Sequence, residues 1–183
     1  MNFLIPKTYL KKKVFTLGFF VTIFVFSSPV LCKNFVQIQK KISTSKTIRG
    51  YAKVIDGDSI VISNIMVRLS GIDAPELGQF CGIKNERYPC GLRAKKNLEK
   101  LISNRMITCH WNKRDKYHRI IATCRTKDIN NINAAMVHKG WAVSYYEYPR
   151  EEKEAREEKR GIWRSYFQRP QQWRKSSSYR KIK

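Results

Sequence analysis

Val54-Ile-Asp-Gly-Asp-Ser-Ile-Val-Ile-Ser-Asn-Ile-Met-Val-Arg-Leu-Ser-Gly-Ile-Asp-Ala-Pro-Glu76 lies near the middle of a chain of 183 residues. Two β-branched runs, Ser59–Ile62 and Ile65–Leu69, flank the turn-forming pair Ser63-Asn64 and predict a tight hairpin. With the turn centred there, Ile62 faces Ile65, Ile60 faces Val67 and Asp58 faces Leu69. The ends Asp56-Gly-Asp58 and Asp73-Ala-Pro-Glu76 then meet at the open end of the hairpin, with Arg68 close by. In a plain register Arg68 faces Ser59 and points away from Asp58. A bulge or strong twist is expected to bring the two together.

Four of the chain's 14 acidic residues fall in this stretch, between apolar runs. Carboxylates crowded at one end of a small sheet repel each other unless they share a positive charge. Hard cations take such oxygen ligands, and Ca²⁺ accepts loose sets of carboxylates, carbonyls and water. The plainer alternative is that acids beside Gly and Pro are turn formers.

The remaining composition points to a polyanion. Net charge is +23 and the isoelectric point about 10.1, which favours nucleic acid or an anionic membrane surface. Residues 1–32 read as an export signal: Lys7, Lys11, Lys12 and Lys13, then the apolar run Val14–Phe26, then Ser27-Ser28-Pro29. The alternative is an uncleaved anchor over residues 14–31, although the run is short of the roughly 20 residues of a full span. Without residues 1–32 the charge is still +19, from 33 basic and 14 acidic residues. Cys81, Cys90, Cys109 and Cys124 remain, an even set that suits two disulfides in an oxidising compartment, with three connectivities open. A hairpin of Met106–Trp111 with Arg119–Cys124, centred between Lys116 and Tyr117, puts Cys109 opposite Cys124. Cys81–Cys90 then staples the intervening loop. No Cys-x-x-Cys pair occurs and the histidines are scattered, which argues against a zinc site.

In order, residues 33–47 read as a polar linker, 48–168 as one folded domain and 169–183 as a flexible basic tail. Thr47–Ile55 is expected to be the first strand and Gly91–Asn104 an amphipathic helix whose lysines form a solvated face. Asn133 is the expected N-cap of a short helix ending at Gly140. Trp141–Ser144 is expected to be extended and Arg150–Arg160 helical, with Gly161-Ile-Trp163 docking on the core. Five strands with about three helices define an α+β protein, mainly β, built on a five-stranded oligonucleotide-binding-type barrel.

Several motifs occur together and in order: Val54-Ile-Asp-Gly-Asp-Ser59, Val67-Arg-Leu-Ser-Gly-Ile-Asp-Ala-Pro-Glu76, Asp115-Lys-Tyr-His-Arg119, Asn133-Ala-Ala-Met-Val-His-Lys-Gly140, Tyr146-x-Tyr148 and Gly161-Ile-Trp163. Over residues 50 to 165 the chain resembles the thermonuclease family, the staphylococcal-type calcium-dependent nucleases. The resemblance implies a phosphodiester hydrolase of DNA and RNA that leaves 3′-phosphate ends. Asp58 and Asp73 match the Ca²⁺ ligands, with the backbone carbonyl of Ala74 as a third and Asp56 as a support of the site. Glu76 matches the residue that activates or orients water, and Arg68 and Arg119 the pair that grips the phosphate. Lys116, Tyr117, Tyr146 and Tyr148 match substrate-binding positions. No protein partner is implied; the expectation is an exported monomer, periplasmic or extracellular.

The chain departs from the family pattern at Ala74, where a threonine is usual, and at His118, where glycine is expected. The four cysteines are a further departure. The rival reading is an inactive barrel kept for nucleic-acid binding. Such a barrel is expected to lose one of Asp58, Asp73, Glu76, Arg68 and Arg119, and all five are present.

Overall fold

The computed structural model describes residues 45–182; the stretch read as an export signal and most of that read as a linker lie outside the described residues. The hairpin is as the alternation predicts. Strands β3 (Ser59–Ile62) and β4 (Ile65–Leu69) pair with Ile62 opposite Ile65 and Ile60 opposite Val67. Ser63 and Asn64 both take positive φ, 47° and 65°, as a two-residue turn matching strand twist requires.

The expected first strand is split. Strand β1 (Lys46–Gly50) begins inside the stretch read as linker and is separated by Tyr51 from β2 (Ala52–Val54). β1 pairs with β6 (Ile107–Arg114), while β2 pairs with β3. The sheet runs β1-β6-β7-β4-β3-β2, with β7 spanning Ile120–Arg125. Since β1 and β2 are one bent strand, the order closes on itself as a five-stranded barrel. Gly50 lies at the closure, where a Cβ would come within 2.9 Å of Ile62 Cγ2. Two short strands, β5 (Ile72–Asp73) and β8 (Val143–Ser144), pair beside it.

Among the described residues, four helices complete the α+β fold. Helix α1 (Cys90–Ile102) buries Ala94, Leu98, Leu101 and Ile102 on one face and leaves its lysines on the other. Helix α2 (Ile132–His138) is capped by Asn131, whose side chain accepts from the Ala134 amide at 3.0 Å. Asn133 is therefore not the cap. It is fully buried and donates to the carbonyls of Ser70 and Ala122 while accepting from the Cys124 amide. Helix α3 (Pro149–Glu157) is followed by a 3₁₀ turn, Gly161–Arg164, that buries Ile162. The tail read as flexible instead forms helix α4 (Pro170–Ile182).

Both disulfides are those read from the sequence, Cys81–Cys90 and Cys109–Cys124. Cys109 faces Cys124 in register, but a bulge between Trp111 and Lys113 shifts the tip of that hairpin by one residue. The barrel interior is filled by Ile60, Ile62, Val67, Leu69, Ile107 and Ile120.

Candidate active site

The open end of the β3–β4 hairpin forms the floor of the site. Asp56 Oδ1 accepts from the Asp58 amide at 3.0 Å and shapes the bend leading into β3. Gly57 is needed there, because a Cβ would lie 2.6 Å from Ala74 Cβ and 2.9 Å from Ala94 Cβ. Asp58 is buried and its Oδ2 accepts from the Ala74 amide at 2.8 Å, tying the bend to the end of β5. Arg68 is opposite Ser59, yet its Nη1 is paired with Asp58 Oδ1. No bulge is involved in this hairpin. Asp58 precedes the first residue of β3, so strand alternation does not dictate its direction. Arg68 Nη2 also donates to Asp73 Oδ1 and to the Ile72 carbonyl, each at 3.2 Å.

Glu76 stands on the loop after β5. Its amide donates to Oε1 of the fully buried Gln79 at 3.3 Å, and Gln79 Nε2 donates to the Gln168 carbonyl at 2.6 Å. Gly91 presses α1 against this loop, leaving no room for a Cβ beside the Glu76 carbonyl. Arg174 of α4 donates to Asp73 Oδ1 at 2.9 Å, Asp73 Oδ2 at 3.1 Å and Glu76 Oε1 at 2.8 Å. Nothing in the spacing of the sequence points to this arginine.

Arg119 comes from the tip of the β6–β7 hairpin. Asp115 organises that tip: Oδ2 accepts from Arg119 Nε at 2.7 Å, and Oδ1 from the amides of Tyr117 and Arg119 at 2.9 and 3.0 Å. His118 takes φ 61°, the left-handed conformation for which glycine is expected. Arg68, Asp73, Lys116, Tyr117, Arg119 and Tyr146 share one groove of about 720 Å³. Tyr146 is 91% exposed there, edge-on to Tyr145, which lines the same groove. Tyr148 does not line it. It packs against the core and its hydroxyl accepts from Asn131. Sequence reasoning therefore missed Tyr145, a neighbour in the same aromatic cluster.

The charges are coupled across the site. Burial pushes the Arg68 guanidinium below its ordinary pKa, Asp73 and Asp56 pull it back up, and the like charge of Arg119 adds to the lowering. Burial also works against the charge of Arg174, but hydrogen bonds to Asp73 and Glu76 outweigh it and the pKa is raised. Among the described residues no group of three or more His, Cys, Asp or Glu side chains is arranged around a common point as a metal cluster. What is present is a pair of buried carboxylates, Asp58 and Asp73, both turned to Arg68. Two carboxylates that need a shared positive charge, with carbonyls and water to complete the shell, suit a hard cation such as Ca²⁺.

The chain is similar in sequence to known proteins. The family model described as "Staphylococcal nuclease homologue" matches residues 66–165. An "Uncharacterized endonuclease" of Escherichia coli is 31% identical over 154 residues, 78% of this chain and 86% of its own. A "Micrococcal nuclease" of Shigella flexneri is 32% identical over 146 residues, covering 68% of this chain and 79% of that protein. A "Succinoglycan biosynthesis protein ExoI" of Rhizobium meliloti (strain 1021) is 33% identical over 128 residues, 66% of this chain and 67% of its own.

Proposed function

The chain belongs to the staphylococcal nuclease family, and on that premise we propose that it is an exported, Ca²⁺-dependent endonuclease. It hydrolyses phosphodiester bonds in DNA and RNA and leaves 3′-phosphate ends. The observation that carries the reading is the convergence of Arg68, Arg119 and Asp73 on one groove, with Glu76 joined to Asp73 through Arg174. Two disulfides fit an oxidising compartment outside the cytoplasm. No helix among the described residues is long and apolar enough to cross a membrane.

Asp58, Asp73 and the Ala74 carbonyl would hold the ion. When bound, Ca²⁺ supplies Lewis-acid charge that orients and polarises the phosphate. Arg68 and Arg119 present planar forks to the phosphoryl oxygens, where negative charge grows toward the transition state. Because that charge is larger in the transition state than in the ground state, both arginines lower the barrier rather than only tightening binding. Glu76 directs the attacking water and takes its proton. Lys116 steers the backbone, while Tyr117 and Tyr146 offer stacking faces that tolerate any base.

The test is digestion of single-stranded DNA by the purified protein, with Ca²⁺ and with a chelator, beside Glu76→Ala and Arg119→Ala. Loss of either residue is expected to lower the rate by about 10²–10³, with little change in fold. Salt-sensitive binding with no Ca²⁺-dependent cleavage would make the protein a binding module instead.

A further inference from the structure

The carboxylates of the site are neutralised by a residue from far along the chain. Arg174 is 101 residues from Asp73 and 98 from Glu76 in sequence, yet it forks across both. Both oxygens of Asp73 are engaged: Oδ1 with Arg68 and Arg174, Oδ2 with Arg174. Asp58 is likewise engaged, by Arg68 and the Ala74 amide. A cation approaching Asp73 therefore meets a guanidinium already seated on its ligand.

The seating is supported along α4. The chain just before the helix is held by the Gln79–Gln168 hydrogen bond and by Arg169 Nη2, which donates to Glu152 Oε1 at 2.7 Å. Trp173 lies over Gly78, on the loop that carries Glu76. Charge counting makes the two occupants exclusive. Asp58, Asp73 and Glu76 face Arg68 and Arg174, a balance of −1. A divalent cation replacing Arg174 brings the cluster to neutrality. One added beside Arg174 leaves an excess positive charge and two cations competing for Asp73 at short range, where repulsion is weakly screened.

Resting on the nuclease reading, we propose that α4 is an arginine plug: Arg174 occupies the cation site of the resting enzyme and must leave before Ca²⁺ binds. The nucleic-acid strand itself drives that departure. Residues 169–183 carry six Lys or Arg and no acid, so phosphates compete with Asp73 and Glu76 for this helix. The enzyme then assembles its metal site only on substrate.

Calorimetric titration of Ca²⁺ into the full chain separates the outcomes, using wild type, Arg174→Ala and Arg174→Lys. Without nucleic acid, Arg174→Ala is expected to bind Ca²⁺ at least tenfold more tightly than wild type, and Arg174→Lys to fall between. A phosphorothioate oligothymidylate should tighten Ca²⁺ binding by wild type and have little effect on Arg174→Ala. Equal, measurable Ca²⁺ affinity in wild type and variants overturns the plug while leaving the nuclease reading intact. Binding that survives Asp73→Asn, or none in any variant, removes the metal site and the plug together. If Arg174→Ala does not fold, as judged by thermal melting, the Arg174→Lys comparison decides on the same criterion.

Discussion

At residue 118 the chain holds a side chain where its backbone favours none. His118 has φ 61°, and its carbonyl accepts from Arg114 Nη1 at 2.6 Å, which fixes the conformation. A left-handed residue with a Cβ costs about 1–2 kcal/mol. Glycine removes that cost but adds about 0.4–1 kcal/mol of unfolded-chain entropy. We therefore expect His118→Gly to stabilise the protein by about 0.5–1 kcal/mol, measured by urea denaturation. Cleavage should change little, since Asp115 continues to hold Arg119. A net loss of stability would show that the imidazole makes a compensating contact. The strain was legible as soon as His118 was set against a glycine position. The Arg68–Asp58 pair is anticipated too, but not its cause: Asp58 lies in a bend outside the strand, so strand alternation does not set its direction and no bulge is needed. Asn133 is the cap expected from the sequence, whereas Asn131 is the cap in the structure. Only burial separates them, and burial is decided by the docking of α2 on β7 rather than by local sequence.

At the scale of elements, the β6–β7 tip acts as a unit that aims Arg119. Asp115 accepts three hydrogen bonds within five residues, so one carboxylate sets both the turn and the guanidinium. The slight burial of Asp115 raises its pKa, but the hydrogen bonds from Arg119 and from the amides of Tyr117 and Arg119 outweigh this and hold it below the usual carboxylate value. A carboxyl with a depressed folded pKa contributes stability above its unfolded pKa, about 3.9, and loses it as pH falls through the folded value. The tip should therefore stay ordered at neutral pH and loosen only in acid, followed by Tyr117 fluorescence. Asp115→Asn should flatten that profile and lower cleavage by about tenfold, with under about 1 kcal/mol lost from global stability. A variant as active as wild type would mean that Arg119 needs no such support. The pairing of Cys109 with Cys124 was legible here from hairpin spacing, but the bulge between Trp111 and Lys113 was not. Helix α4 was the larger omission. Its sequence has no strong apolar stripe, and its place is set by distant polar contacts from Gln79, Glu152 and Asp73.

For the molecule as a whole, the charge of +23 acts through position rather than magnitude. Arg68, Lys113, Lys116 and Arg119 border one groove, while the lysines of α1 face solvent elsewhere. Four phosphate contacts on a single strand correspond to a salt slope of about −3 in log affinity, or about 50-fold weaker binding from 50 to 200 mM salt. The buried carboxylates of the site are different: Asp58 and Asp73 are each 3% exposed, so their interactions are little screened. Rising salt should therefore raise KM steeply and leave kcat nearly flat. Lys113→Ala and Lys116→Ala should each reduce the slope by about 0.7, the contribution of one phosphate contact. Steady-state cleavage of a single-stranded substrate across that salt range is the measurement. A slope unchanged in both lysine variants would move the strand off this groove and onto another basic face. A kcat falling in parallel with affinity would instead place a screened surface contact inside the chemical step.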